Sequence, residues 1–195
     1  MNIRHPFDSD FSSSEQLPLN FSVSFIEENY KGRLVVRVLY NGTTQVGDVL
    51  NDNSYDEDFY RFHDVFHYSF AALLGWSPCT RSLLSRKRKS KALVDEVEDG
   101  ARATITEEAI SLMVFNHAKK KRFYSGVHKV PKGLLRTIKN LTQGFEVRMR
   151  TTEEWEYAIL KAYEAFRTLI FHRGGTVSYD FYANTIRVDV PNHDC

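Results

Sequence analysis

Cysteine is almost missing from this chain. Cys79 and Cys195 are the only two among 195 residues, too few for a disulfide framework or a four-cysteine zinc site. No apolar run reaches the ~18–20 residues that cross a bilayer. The opening stretch MNIRHPFDSDFSSSEQ lacks the apolar core of a signal peptide, so the expected location is cytoplasmic, with no membrane partner. Net charge is also nearly absent, at +1, and that argues against binding to nucleic acid through bulk positive charge, so a nucleic-acid partner is not expected. No internal repeat is visible. Hydrophobic residues make up 42% and charged residues 26%, ordinary values for a globular chain able to bury one sizeable core.

The charge that is present is segregated. Residues 1–57 are mainly acidic, whereas RSLLSRKRKSK at 81–91 contains bases and no acid. Acids return at 95–108, and residues 119–150 are strongly basic again. The Ser-rich start reads as a flexible arm over residues 1–18, followed by a single domain over 19–195.

Periodicity divides that domain into three parts. Phe21, Val23 and Phe25 alternate with serines, the spacing of a half-buried strand. Leu34–Tyr40, Asn41-Gly42 and Thr43–Leu50 read as a hairpin, because Asn-Gly accepts the positive φ angles of a type I′ turn. A hairpin over 176–190 turns near Asn184. Residues 54–173 read as helical. Ser54 with Glu57 has capping-box spacing ahead of a helix ending at Gly75, and Thr151 with Glu154 opens another that stops at Gly174-Gly175. Val94–Lys119 and a short segment near Leu134–Leu141 supply two more. The expected fold is therefore α+β, with a helical core of about four helices and antiparallel β hairpins from both terminal segments over 19–50 and 176–190.

Three polar residues interrupt the most apolar helix, RFHDVFHYSFAALLGW. His63, Asp64 and His67 are surrounded by residues that must be buried, and the two histidines lie one turn apart on one side. Unpartnered burial of such groups costs several kcal/mol, so they are candidate catalytic residues or metal ligands. Their alternative role is a satisfied network within the core. A second cluster lies in VDEVEDGARATITEEAI, where Glu96, Asp99, Glu107 and Glu108 are candidate ligands for Mg²⁺ or Mn²⁺, which prefer oxygen donors. Glu108 shares a helical stripe with Val97, Ile105, Leu112 and Phe115, which predicts an inward carboxylate. On an unbroken helix Asp99 and Glu108 stand ~13 Å apart, so one ion requires a break at Gly100 or help from another helix. Arg86, Lys87, Arg88 and Lys89 form a basic run suited to holding substrate phosphates or to remaining solvated.

A polar pair of histidines in an apolar helix, a DExxD segment and a following EE resemble the all-α nucleoside triphosphate pyrophosphohydrolases of the MazG-like group. YRFHDVFHYSFAALLGWSP and DEVEDGARATITEEAIS are similar to a subgroup with a MazG C-terminal-type domain, over roughly residues 45–175. The resemblance implies Mg²⁺-dependent hydrolysis of a nucleoside triphosphate to monophosphate and pyrophosphate, in a homodimer or higher homo-oligomer. Asp95, Glu96 and Asp99 stand in place of an EExxE pattern, and Ser111 follows Glu108 where the second pattern has Asp. Two other readings compete. Arg167 and His172 fit the RxxxxH spacing of metal-independent HEPN ribonucleases, and the imperfect metal pattern suits a non-catalytic nucleotide-sensing or interaction module. No GxSxG elbow surrounds Ser77, which argues against a serine hydrolase.

Overall fold

The computed structural model describes residues 5–190. It is α+β, with helices packed beside one antiparallel sheet. The strands are β1 (Asn20–Tyr30), β2 (Arg33–Tyr40), β3 (Thr44–Gln45), β4 (Gly174–Asp180) and β5 (Thr185–Asp189). Their order, β3-β2-β1-β4-β5, unites the two expected hairpins. Phe21 pairs with Tyr179, Val23 with Val177 and Phe25 with Gly175. The Phe21 and Tyr179 rings stack at 4.7 Å, a cross-strand aromatic pair of the kind that fixes register. Gly174 is required here, since a Cβ would lie 2.5 Å from the Phe25 carbonyl oxygen.

The first hairpin differs from expectation. All of β2 pairs with β1 around a Lys31-Gly32 turn, while the Asn41-Gly42 turn leads into the two residues of β3 and on to backbone bonds from Val46 to Val38 and between Leu50 and Val36. The two partners occupy opposite edges of β2, so β1 adds to the Asn41-Gly42 hairpin without displacing it.

The helices are α1 (Asp64–Leu74), α2 (Pro78–Leu83), α3 (Ala92–Val97), α4 (Ala101–Lys119), α5 (Lys132–Leu141) and α6 (Thr152–His172). Every residue of α1 is buried, and the helix packs along α6 with Phe66 against Tyr163 and Phe166. The expected cap at Ser54 does not start α1. Glu57 instead bonds Arg61 at 2.7 Å, and a short 3₁₀ turn over Tyr60–Phe62 precedes the helix. The long helix expected at 94–119 is divided at Gly100, which takes an extended backbone and admits the Glu96 carbonyl where a Cβ would collide. Thr151 and Glu154 do form a reciprocal capping box on α6. The short α2 is opened by Ser77, whose hydroxyl accepts the Thr80 N–H, with Pro78 in the first turn.

Described residues of the proposed arm are not loose. Leu17 is buried, and buried Asp8 accepts the Leu17 N–H at 2.7 Å and Arg81 Nη2 at 2.6 Å. No described helix is long and apolar enough to cross a membrane.

Candidate functional site

Three helices bring polar side chains to one place in the core. His63 precedes α1, and Asp64 and His67 lie on it; Glu107 and Glu108 come from α4, and Ser77 and Cys79 from the start of α2. The apolar helix meets the acidic one through His67, whose Nδ1 donates to Glu107 Oε1 at 2.9 Å. Glu107 is completely buried yet well provided: Oε1 also accepts from Ser77 Oγ at 2.7 Å, and Oε2 accepts the Cys79 N–H at 2.9 Å. Three donors converging on one carboxylate offset its desolvation.

The inward acid of α4 is Glu107, not Glu108. The buried face carries Ala103, Glu107, Ile110, Ser111, Val114 and Ala118, whereas Ile105 and Leu112 are exposed and the Glu108 side chain is 46% exposed. Glu108 stands at the rim. Its Oε1 lies 3.5 Å from His67 Nε2, which is an ion-pair distance without hydrogen-bond geometry, so that buried nitrogen has no hydrogen-bond partner. His63 Nδ1 donates to the Tyr60 carbonyl at 2.9 Å, its Nε2 is 3.3 Å from Asp64 Oδ1, and its ring lies flat on Tyr60 with centroids 4.2 Å apart. The two imidazoles meet edge to face at 5.7 Å.

The electrostatics follow from this crowding. Burial works against a charged His67, but the Glu107 carboxylate beside it prevails and holds its pKa well above the ordinary histidine range. The His67 ring in turn draws Glu108 down to about 2 against the opposing effect of burial. Burial dominates at His63, which is lowered. Burial also pushes the Cys79 thiol far up, so Cys79 is not a thiolate nucleophile at neutral pH.

The four carboxylates expected to share Mg²⁺ do not converge. Asp99 is fully buried and accepts from Arg88 N at 2.7 Å, Arg88 Nε at 3.1 Å and Arg88 Nη2 at 2.7 Å, with Arg81 Nε at 3.5 Å. Glu96 is exposed on α3. Among the described residues, neither belongs to any group of three donors close enough to hold one ion. Mg²⁺ bound by Glu96, Asp99, Glu107 and Glu108 together therefore does not fit this structure. The basic run is likewise divided. Arg88 is buried between Asp99 and Glu146, and Arg86 Nη1 donates to the carbonyls of Ser13 and Gln16. Only Lys87, half-buried, and the exposed Lys89 keep their side chains toward the surface of that loop.

The ribonuclease pattern does not assemble within the chain either. Arg167 Nη1 donates to the Phe123 carbonyl at 2.7 Å, and His172, five residues on, leaves the helix ~140° around its axis. Sequence reasoning found His63, Asp64 and His67 but missed Ser77 and Cys79 as supports. The Ser-Pro start of α2 was the available signal.

Comparison with known proteins adds one positive result. No curated protein and no solved structure matches the chain. The model of the MazG C-terminal domain matches residues 2–192, nearly the whole sequence and every residue of the His67 cluster, so the chain belongs to the MazG C-terminal domain family.

Proposed function

We propose that this protein hydrolyses a nucleoside triphosphate to a monophosphate and pyrophosphate with a divalent cation, at the cluster around His67 and not along α3. The observation that carries the reading is the His67 ring. It is sealed in the core, one nitrogen is fixed by Glu107, and the other is directed without a hydrogen-bond partner toward the half-exposed Glu108. A group held in this way is preorganised for chemistry at the rim. The substrate class rests on the resemblance to MazG-like pyrophosphohydrolases and on the family membership.

In the proposed reaction a water oxygen bonds to phosphorus, the anhydride bond between the α and β phosphates breaks, and pyrophosphate leaves with the electron pair. His67 and Glu108 are placed to position that water at the rim, while Glu107 sets the ring's orientation. No step is routed through a cation on α3, because Asp99 is neutralised by Arg88. The test is a turnover screen of the common NTPs and dNTPs with Mg²⁺ or Mn²⁺, with and without EDTA, measuring pyrophosphate and orthophosphate separately. Glu108→Gln is expected to lower pyrophosphate release by ~10²-fold or more, and Glu96→Gln to leave it unchanged. Equal rates for Glu108→Gln and the parent refute the assignment.

A second reading, a nucleotide-binding module without turnover, is favoured by one observation: Asp99 and Arg88, expected at the metal and the phosphates, neutralise each other. Saturable nucleotide binding with no release of pyrophosphate in the same screen would establish it. The resemblance also carries a homodimer, and we assign to it the exposed apolar side chains of α3 and α4: Leu93, Val97, Ile105 and Leu112.

A further inference from the structure

Both imidazoles of the cluster are bracketed by acceptors. His63 has the Tyr60 carbonyl on Nδ1 and Asp64 on Nε2, and His67 has Glu107 on Nδ1 and Glu108 beyond Nε2. A carbonyl or carboxylate oxygen only accepts, so the ring protons belong on the Nδ1 atoms. Each ring then directs its Nε2 toward a carboxylate, and a cation seated between ring and acid would answer both. One divalent ion serves both rings.

The distances suit such an ion. A ring nitrogen of His63, one of His67 and a carboxylate oxygen of Glu108 all lie within 4.8 Å of one another. The 3.5 Å from His67 Nε2 to Glu108 Oε1 is close to the ~3.3 Å edge of a tetrahedron with metal–ligand bonds of ~2.0–2.1 Å. Glu108, half-exposed and bonded there by the Cys79 thiol at 3.7 Å, needs only a small movement to close the remaining gap. The outer contacts are already in place: a carboxylate behind His67 and a carbonyl behind His63 fix both rings with Nε2 forward. A second group, His67, Cys79 and Glu107, is also compact, but it is buried throughout and both Glu107 oxygens are taken. The first group opens at Glu108, which leaves an entry path.

The geometry points to a binding site for one first-row transition-metal ion of the Zn²⁺ or Co²⁺ kind, held by His63, His67 and Glu108. Two imidazoles with one carboxylate favour such ions over Mg²⁺, which prefers oxygen donors and retained water. Asp64, on the Nε2 side of His63, is a positioning residue and adds negative charge.

The inference is tested on the full chain after chelator treatment and desalting. Co²⁺ is added and its visible absorption followed, and Zn²⁺ and Mg²⁺ are titrated by calorimetry. The expected result is one site per chain, a Co²⁺ spectrum of low coordination number, and Zn²⁺ affinity at least ~10²-fold above that for Mg²⁺. His63→Ala and Glu108→Gln should each weaken Zn²⁺ binding by tenfold or more, while Glu96→Gln on α3 changes nothing. If His63→Ala fails to fold by circular dichroism, Glu108→Gln at its half-exposed position decides alone. Parent-like Zn²⁺ affinity in the folded variants, or equal affinity for Mg²⁺, overturns the site. Zn²⁺ binding without pyrophosphate release refutes the proposed hydrolysis only; pyrophosphate release with unaltered metal affinity in the variants refutes this site only.

Discussion

Arg88 and Asp99 show how far a residue's role depends on partners that are distant in sequence. In sequence they belong to a basic block and an acidic block, and each invites a ligand. Folding joins them: Arg88 makes a forked contact with Asp99 and reaches Glu146 at 2.9 Å, 58 residues away. Removing one member of a buried, hydrogen-bonded pair strands the other, which costs about 3–5 kcal/mol. Asp99→Ala is therefore expected to lower stability by that amount in urea melts. An unchanged midpoint would contradict this account of the pair. His63, Asp64 and His67 were legible for the converse reason. Polar groups in so apolar a helix had to be answered by other polar side chains, and for His67 that partner is Glu107, 40 residues away. Glu107 could not be separated from Glu108 without knowing where α4 begins.

Glu98 provides the pH-dependent case. Its two carboxylate oxygens both accept the Glu146 N–H, at 3.0 and 3.1 Å, and burial raises its pKa from 4.5 to about 7. Between those values the native protein holds a proton that the unfolded chain has released. Since the native state then binds more protons, stability declines as pH rises through that window. Glu98→Gln should flatten the decline between pH 4.5 and 7, as measured by melting temperature across buffers. A variant with the same slope as the parent would remove Glu98 as its source.

Among elements, α6 was fully legible and α1 only at its end. In the box formed by Thr151 and Glu154, Arg150 reaches only Glu154 Oε1 at 3.4 Å and leaves Oε2 to the Thr151 N–H, so pattern and structure agree. Ser54 and Glu57 show the same spacing, but Glu57 has Arg61 within reach, and that buried guanidinium also gathers Glu27 and Asp52. An ion-pair group outweighed a cap worth ~1 kcal/mol. The break at Gly100 was recognisable as a possibility from the glycine itself, and the carbonyl of Glu96 supplies the cause. Gly100→Ala should destabilise by about 1–3 kcal/mol through that collision, read from denaturant unfolding. It should leave the Zn²⁺ affinity of the His67 cluster within twofold, because His63, His67 and Glu108 lie outside the α3–α4 junction.

At the scale of the molecule, the α+β class could be read from periodicity, but the union of the strands could not. Period-two segments announce strands, and nothing local states that β1 takes β4 as a neighbour. The exposed Ile105 and Leu112 flank Glu108 on α4, so the dimer proposed for that face has a direct check. Ile105→Arg should shift the mass measured by light scattering from dimer to monomer at micromolar concentration. A parent that is monomeric throughout that range would dispose of the dimer.

The pairing of β1 with β4 also governs events on the ribosome. Ser24 and Thr176 share a side-chain hydrogen bond across 152 residues, so the middle strand of the sheet is made early and receives one of its neighbours only near the end of translation. At ~5–20 residues per second that interval is on the order of 10 s. Throughout it, β1 presents an apolar face and an unpaired row of amides, both competent to join another nascent chain. The hairpin with β2 closes only one of its edges. A cell making this protein quickly should accumulate aggregates seeded by β1 unless a chaperone covers that edge, and slowing initiation should raise the folded yield more than slowing elongation does.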